Sequence, residues 1–408
     1  MGMKPETQPV SDQTATAEGT DLPVPQIPAP PRPARIQFLD GIRALAALFV
    51  VAHHIYIAVY PGFPENTGPW FLGWLLYGHF AVAAFIVVSG FSLTLAPAKG
   101  DYHLSKGFGS YISRRAWRIL PPYWAAVIVS SLLMVLVVRM RMDVPLTPKD
   151  VVVHLLLLQT AVGNNAPNGA LWSIAIEWQL YFFFPIFLVS RRRLGPAATA
   201  VGGVIGVWLL YQVAVHVSPL GRILHLSPQF AALFIFGMIA AGATARSEAS
   251  GRRVPWGWIT IGLTVALVAL FAAFGSERLL GQDLYWADLG VGAAMACGLA
   301  ALVGTGSVAA RRVLEHRRLV GIGHFSYSLY LVHAPLLLIA WLFVVEPMHL
   351  SPNGSFAVMV VGVAPLLVLA SYGFFLVFER PFLNRRAGTG LWPRWSSSSS
   401  SSPSAAPS

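Results

Sequence analysis

The chain has 408 residues, of which 55% are hydrophobic and only 11% are charged. Long apolar runs recur along most of its length, which excludes a soluble globular domain and indicates an all-α polytopic membrane protein. The formal net charge of +11 does not indicate a nucleic-acid partner, because the basic residues lie in short segments between apolar runs, where they set topology. The single cysteine, Cys297, excludes an intramolecular disulfide and belongs to no metal-ligand cluster, so we predict no metal.

Both ends of the chain have the composition of disordered segments. Residues 1–35 are polar and then Pro-rich, and residues 387–408 contain a run of serines. Such segments bury too little apolar surface to fold alone, so we predict a disordered leader and a disordered tail. The region between them, residues 36–386, is predicted to be one transmembrane domain.

Ten apolar segments between these ends are long enough to cross a bilayer as helices, which takes about 20 residues each. Residues 151–162 are also apolar but are too short to span, and we predict that they lie at the interface. The ten predicted spans are 38–60, 70–96, 119–138, 171–190, 197–217, 228–245, 255–274, 284–306, 324–346 and 354–379.

The positive charges divide unevenly between alternate loops. With the N-terminus placed in the cytoplasm, the predicted cytoplasmic segments carry most of the 28 lysines and arginines. Because cytoplasmic loops are enriched in these residues, an even number of spans with both termini cytoplasmic is favoured. The basic residues that are then extracytoplasmic are Arg139, Arg141, Lys149, Arg222 and Arg278.

The first predicted span carries charged and titratable residues that are costly in hydrocarbon. At about 100° per residue, Arg43 and His54 fall within about 20° of each other on the helix and about 16 Å apart along its axis. Asp40 shares their face, whereas His53 is rotated from His54 by about 100°. This alignment favours a functional groove. The alternative is that Asp40 and Arg43 only reach the interface while the histidines bond to neighbouring helices.

This stretch, FLDGIRALAALFVVAHH, resembles the opening motif of membrane acyltransferase family 3, in which an arginine and a histidine are central. The matching positions are Arg43 and His54. The resemblance implies an enzyme that acylates hydroxyls of sugars, cell-surface polysaccharides or secondary metabolites, with acyl-coenzyme A as the usual donor. Histidine suits the general-base step because its pKa lies near neutrality.

A second motif lies in residues 113–124, where Arg115 and Arg118 are three apart and so share one helical face. Arginine binds phosphate through a planar fork, and coenzyme A carries several phosphates. A basic stretch before a span is also typical of an orientation signal or of binding to anionic lipid. The Arg-x-x-Arg spacing resembles a second family motif, which favours donor binding by Arg115 and Arg118 together with Arg43 and Asp40.

A third stretch, residues 78–93, resembles the second-span signature of the family, which ends in Ser-Gly-Phe. Here these residues are Ser89, Gly90 and Phe91, and an acidic residue that is frequent earlier in the signature is absent. Small residues within a span let helix backbones approach closely. We therefore predict a packing role and leave these residues out of the catalytic set.

A fourth stretch, residues 168–185, resembles the Trp-Ser-x-x-x-Glu motif of the family. Glu177 lies about two turns inside its predicted span, with Ser173 and Tyr181 four residues either side on the same face. Glu177 and His54 both fall in the predicted outer half of the membrane, so they are within reach of each other. A carboxylate bonded to the imidazole would hold its tautomer, whereas the alternative is a buried glutamate that ties helices together.

A fifth stretch, residues 323–337, resembles the late Ser-Tyr-x-x-Tyr-x-x-His motif of the family. Ser326 and His333 fall within about 20° on one face, with Tyr330 between them. Ser326 and Tyr327 are predicted near the cytoplasmic mouth, where they can hydrogen-bond a polar donor. His333 is predicted near mid-membrane, short of the first-span histidine in depth, and to line the pocket.

These motifs together predict a multi-pass O-acyltransferase in a bacterial plasma membrane, with acyl-coenzyme A, most often acetyl-coenzyme A, entering from the cytoplasm. His54 is predicted to be the base, Glu177 its support and His53 a partner. The acceptor stays open among exopolysaccharide, lipid-linked glycan, peptidoglycan and glycosylated metabolites. The main alternative is a transporter or flippase of a glycan or lipid-linked sugar, which predicts an internal repeat that the sequence does not show.

Overall fold

The computed structural model describes residues 1–2, 36–143, 145–217, 224–250, 254–304 and 308–383, with only the backbone for residues 248–250. The chain divides into the units Met1–Arg35 and Ile36–Ser408, and every described helix belongs to the second. The predicted disorder of the leader and the tail falls outside the described residues, apart from the first two.

The described part of the chain is helical and contains no strand, as predicted for an all-α protein. Short 3₁₀ and π-helical turns join several helices into longer rods, and the 3₁₀ segment Trp70–Gly78 runs directly into the second helix. The α-helices are α1 (Gln37–Val59), α2 (His79–Lys99), α3 (Gly107–Leu136), α4 (Pro148–Leu155), α5 (Gln159–Val162), α6 (Trp172–His216), α7 (Gln229–Ser250), α8 (Trp256–Leu280), α9 (Leu284–Val303), α10 (Val308–Leu314), α11 (Arg317–His324), α12 (Ser326–Ala340), α13 (Pro352–Val358), α14 (Ala364–Phe374) and α15 (Arg380–Leu383).

Nine helical segments of the described chain are long and apolar enough to cross a membrane. One of them, Gly169–His216, has 48 residues and is about 72 Å long, more than twice the ~30 Å hydrocarbon core. It breaks at Gly195, whose φ of 83° lies in the left-handed region that glycine adopts without steric cost. Its two halves correspond to the predicted spans 171–190 and 197–217, which accounts for the ten spans.

A close contact between α2 and α7 depends on two glycines. A Cβ atom on Gly90 would lie 2.1 Å from the carbonyl oxygen of Phe234, and one on Gly237 would lie 2.1 Å from that of Val87. Only a residue without a side chain lets the two backbones approach this closely. The predicted packing role of Gly90 is confirmed, and the contact holds α2 in place beside the site.

The periphery of the fold is apolar. No part of the most apolar stretch of α8 is buried within the protein, and Ile261, Val265 and Val268 are 54%, 63% and 62% exposed. An apolar surface of this extent marks a site of contact with a membrane or with another protein. The length and composition of α8 suit a helix that crosses a bilayer.

The segment between α3 and α6 contains only short helices. In the capping box that starts α4, the backbone N–H of Thr147 donates to Asp150 Oδ2 over 2.8 Å, and the Thr147 hydroxyl accepts from the backbone N–H of Asp150. With eight and four residues, α4 and α5 are too short to span, as predicted for residues 151–162. Their place at the membrane interface stays a prediction.

Candidate active site

The first helix carries Asp40 and Arg43 on one face, as predicted. Arg43 Nη1 donates to Asp40 Oδ1 over 3.2 Å, and Arg43 Nη2 donates to Ser92 Oγ of α2 over 3.0 Å. The Asp40 side chain is 1% exposed, whereas that of Arg43 is 22% exposed. The guanidinium is thus held by two helices with part of its surface open, an arrangement that suits an anionic ligand.

Two adjacent histidines of α1 bond to backbone carbonyls. His53 Nδ1 lies 2.8 Å from the carbonyl oxygen of Leu75, and His54 Nδ1 lies 2.9 Å from that of Val50. A carbonyl oxygen can only accept, so Nδ1 is the protonated nitrogen in both rings. In the neutral ring, Nε2 of His54 keeps its lone pair, which is the nitrogen that a general base uses.

His333 of α12 completes a cluster of three imidazoles, which we call the histidine cluster (His53, His54 and His333). The ring centroids of His54 and His333 are 4.8 Å apart, and those of His53 and His54 are 5.1 Å apart. The rings of α1 and α12 are thus in contact at this point. That His333 lies short of His54 in depth stays a prediction.

Glu177 of α6 bonds to a tyrosine. Its Oε1 accepts a hydrogen bond of 2.6 Å from the Tyr181 hydroxyl, which also lies 3.4 Å from Ser89 Oγ of α2. Between the described side chains of Glu177 and His54 the predicted hydrogen bond is not formed. The tautomer of His54 is set instead by the carbonyl group of Val50, one turn earlier on its own helix.

Tyr330 links the start of α6 to the histidine cluster. Its hydroxyl donates to the carbonyl oxygen of Ala170 over 2.9 Å and lies 2.6 Å from Ser173 Oγ. Since the single hydroxyl proton of Tyr330 is used on Ala170, Ser173 is the donor in the second bond. The Tyr330 ring lies 5.5 Å from that of His333, whose Nδ1 donates to the Tyr330 carbonyl oxygen over 2.6 Å.

Ser326 and Tyr327 use their hydroxyl protons within the protein. Ser326 Oγ donates to the carbonyl oxygen of Gly323 over 2.9 Å, and the Tyr327 hydroxyl donates to that of Ile119 over 3.1 Å. Only their oxygen lone pairs are left for a ligand. Both hydroxyls therefore connect α12 to neighbouring helices and do not donate hydrogen bonds to a substrate in this arrangement.

The two arginines of α3 differ in exposure. Arg115 is half-buried beside Tyr111 and Tyr181, whereas Arg118 is exposed and has Glu379 as an electrostatic neighbour. Within the described residues, Arg115 Nε is buried without a hydrogen-bond partner. Such a donor costs about 1–3 kcal/mol when unsatisfied, so Arg115 is suited to bind an anion next to Tyr181.

The structure also contains a buried carboxylate–imidazole pair that the sequence analysis missed. His79 Nε2 lies 3.0 Å from both carboxylate oxygens of Asp288, and Gln229 Nε2 donates to Oδ2 over 3.1 Å. Asp288 is fully buried, and the His79 ring stacks on Trp172 with centroids 5.8 Å apart. The available signal was an acidic residue inside a predicted span, which marks a site by default.

The polar groups therefore form two sets along α1. Arg43 lies near the start of the helix, and the histidine cluster lies about 16 Å further along its axis. Ser92 bonds to Arg43, and Ser89, three residues earlier on the same face of α2, lies 3.4 Å from the Tyr181 hydroxyl, so Tyr181 lies about one helical turn from the Arg43 end. The arrangement can hold an anionic group at one end and present a basic nitrogen at the other.

Comparisons with known proteins identify the family of the chain. Residues 36–378 match a family model described as an acyltransferase domain. Acyltransferase MdmB of Streptomyces mycarofaciens is 24% identical over 327 residues, which cover 74% of this chain and 79% of that protein. Peptidoglycan O-acetyltransferase OatA of Listeria monocytogenes is 23% identical over 328 residues, which cover 73% of this chain and 49% of that protein.

A third relative, nodulation protein 10 of Rhizobium leguminosarum bv. viciae, is 26% identical over 193 residues, which cover 42% of this chain and 50% of that protein. The chain thus spans about half the length of two of these three relatives. No solved structure matches it. The family match extends over most of the chain, from the first span into the last, and this chain belongs to the acyltransferase domain family, the membrane family that its five motifs resemble.

Proposed function

We propose that the chain is an O-acyltransferase of a bacterial plasma membrane with both termini in the cytoplasm. It moves an acyl group, with acetyl as the first choice, from acyl-coenzyme A to a hydroxyl of a carbohydrate-type acceptor. Family membership supports the reaction class, and the name of one relative makes peptidoglycan one acceptor to test. The donor and the acceptor are inferred from the chemistry of the site.

This proposal depends above all on the tautomer of His54. Because Nδ1 donates to Val50, Nε2 is free to accept the proton of the acceptor hydroxyl as the hydroxyl oxygen attacks the thioester carbonyl carbon. The C–S bond then breaks, and the leaving thiolate takes that proton from the imidazolium. The products are an O-acyl ester and free coenzyme A.

His53 and His333 act as positioning residues for this base. Both rings touch that of His54, and both use Nδ1–H on backbone carbonyls, so their orientations are fixed. Ser173 and Tyr330 extend the same support to His333 through their hydrogen bond. A base held from three sides loses little entropy when it reaches the reactive geometry.

Three arginines form the part of the site that binds the phosphates of the acyl donor. Arg43, Arg115 and Arg118 supply planar guanidinium groups that can each bind phosphate oxygens through two hydrogen bonds. Asp40 orients Arg43. With the phosphates held at this end, the acyl chain extends about 16 Å along α1 toward His54.

Glu177 and Tyr181 act between the two ends. Their short hydrogen bond fixes the Tyr181 hydroxyl beside Arg115 and Ser89. We infer that Glu177 positions Tyr181 and so shapes the passage for the donor. In this scheme Glu177 does not contact the reacting atoms.

Acyl transfer by the purified protein in liposomes tests the proposal. Labelled acetyl-coenzyme A and acetyl phosphate are supplied separately with a panel of glycans that includes peptidoglycan fragments. We expect label in a glycan ester with acetyl-coenzyme A and loss of turnover in His54→Ala. The control is His216→Ala, because His216 Nδ1 makes the same bond to a carbonyl four residues earlier but the side chain is exposed.

Three outcomes would contradict parts of the proposal. Unchanged turnover in a folded His54→Ala variant would remove the assignment of the base. Transfer from acetyl phosphate alone would remove acyl-coenzyme A as the donor. Movement of a glycan across the bilayer without ester formation would favour a transporter or flippase.

A further inference from the structure

A cavity lies where the α4–α6 segment meets the start of α7. It has a volume of about 330 Å³, at the lower end of the range for small-molecule sites of about 300–1,000 Å³. It lies next to the buried pair of His79 and Asp288, since Trp172 both lines it and stacks on His79. The side chains of Gln159, Thr160, Asn164, Asn165, Trp172 and His225 are among those that line it.

The lining is polar but carries no formal charge. It offers three carboxamide groups, two hydroxyls, an imidazole and one indole, with no lysine, arginine, aspartate or glutamate among the described lining residues. Carboxamides donate and accept hydrogen bonds in equal measure, which matches the alternating donors and acceptors of neutral hydroxyl groups. A phosphate ligand would call for cations, and the described lining residues include no lysine or arginine.

Two lining residues carry buried polar atoms that lack a hydrogen-bond partner among the described residues. Gln159 is 2% exposed, and its Nε2 donates to the Tyr123 hydroxyl and the carbonyl oxygen of Leu171 over 3.1 and 3.0 Å. These bonds fix the orientation of the amide. Its Oε1 and the hydroxyl of Thr160, which is 6% exposed, have no hydrogen-bond partner in the described part of the chain. Buried polar atoms of this kind are normally satisfied by a ligand or by water.

The loop that forms one wall is held in advance of binding. Asn164 Nδ2 donates to Asp150 Oδ1 over 2.5 Å, and Asn164 Oδ1 accepts from the backbone N–H of Ala166 over 2.9 Å. Hydrogen bonds from Thr147 hold the pKa of Asp150 below its usual range, which keeps this carboxylate charged. A preformed wall reduces the entropy that binding must overcome.

The cavity and the histidine cluster share one element of the fold. Trp172 lines the cavity, and the next residue, Ser173, bonds to Tyr330, which packs on His333. The α1 helix runs from Arg43 toward this end of the bundle. The cavity therefore lies at the end of the bundle that holds the histidine cluster rather than at the end that holds Arg43.

We propose that this cavity binds a neutral, polyhydroxylated unit of the acceptor, such as a hexose or an N-acetylhexosamine residue. The inference rests on the proposed function for its link to acyl transfer, but not for binding itself. Gln159 and Thr160 bond to ring hydroxyls, and the preformed loop at Asn164 and Asn165 provides the wall beside them. Trp172 supplies an apolar face to the sugar ring.

The test separates acceptor binding from donor use. The double variant Thr160→Val with Asn165→Ala removes two polar groups that make no hydrogen bond with the described residues, so we expect the fold to be preserved. Loss of one to two hydrogen bonds to a neutral ligand, at about 1 kcal/mol each, predicts an acceptor KM raised about tenfold. The KM for the donor and kcat are expected to stay unchanged. Gln282→Ala, an exposed amide outside the cavity, is the matched control.

Direct binding makes the result independent of turnover. Radiolabelled methyl glycosides of hexoses and N-acetylhexosamines are measured against the protein in detergent by equilibrium dialysis, with and without the double substitution. Weaker glycoside binding in the variant supports the cavity even when no acyl transfer is found. Equal glycoside binding by both proteins, or a variant that transfers acyl groups with an unchanged acceptor KM, would overturn it.

Discussion

The substitution Gly78→Ala tests whether the histidine cluster must be held in place. Gly78 immediately precedes α2, and it faces the side chain of His53. A Cβ atom at this position would lie 2.2 Å from Cγ of His53 and 2.3 Å from its Cβ. These atoms belong to the base of a short ring side chain, so the ring has to move as a whole.

The size of the movement follows from the contact distance. Ordinary van der Waals contact to a Cβ atom begins at 3.4 Å, so His53 has to move by about 1.2 Å. This breaks its 2.8 Å bond to Leu75 and pushes its ring against that of His54, which lies 5.1 Å away. A misplacement of about 1 Å can cost a factor of about 100 in rate, equivalent to about 2.7 kcal/mol. Overpacking itself costs about 1–3 kcal/mol of stability.

The assay is acetyl transfer in liposomes under conditions that saturate both substrates, combined with thermal unfolding of each variant in detergent. We expect Gly78→Ala to lower kcat about 100-fold while the protein stays folded. The matched control is Gly202→Ala, another helical glycine, where a new Cβ atom meets nothing within 4 Å. Wild-type kcat is expected for the control.

A folded Gly78→Ala variant with the wild-type rate would refute this reasoning. The position of His53 would then have no influence on the base, and the histidine cluster would be a packing feature of α1. An equal loss of rate in Gly202→Ala would instead indicate that any added methyl group disturbs the fold.

Two further substitutions test the parts of the fold that surround the site. Asp288→Asn keeps the shape of the side chain but removes the carboxylate to which His79 and Gln229 bond. We expect the free energy of unfolding, measured by denaturant titration in detergent, to fall by about 1–2 kcal/mol. An unchanged free energy would mean that the pair contributes no charge-assisted stability. Gly90→Ala places a Cβ atom 2.1 Å from a backbone carbonyl oxygen that cannot rotate away. We expect α2 and α7 to separate and the free energy of unfolding to fall by more than about 3 kcal/mol. Wild-type stability would contradict the close contact described for these helices.

The local features of the site were accessible from the sequence. Helix length, apolar runs and the 100° turn per residue predicted the spans and placed Asp40 and Arg43 on one face of α1. They also predicted that His53 and His54 point in different directions. In the structure His53 bonds to Leu75 of the 3₁₀ segment, and His54 bonds to Val50 of its own helix. These properties depend on a single helix, so residue spacing is sufficient to derive them.

Contacts between helices were predicted less well. Glu177 bonds to Tyr181 rather than to His54, and the contact between the rings of His333 and His54 was not predicted. Depth counted along a helix axis carries an error of several ångströms, because tilt and side-chain direction are unknown. A hydrogen bond forms or fails within a fraction of that distance.

The amino-acid sequence by itself determined the all-α membrane architecture, the family resemblance and the polar motif residues of the predicted spans, because each follows from composition or from spacing within one segment. Only the tertiary structure decided which of these residues meet. His79 and Asp288 are 209 positions apart in sequence. No residue periodicity within one helix can predict a contact over that separation. Helix rotation and the close approach allowed by glycines such as Gly90 bring such partners together, and both are properties of the packed bundle.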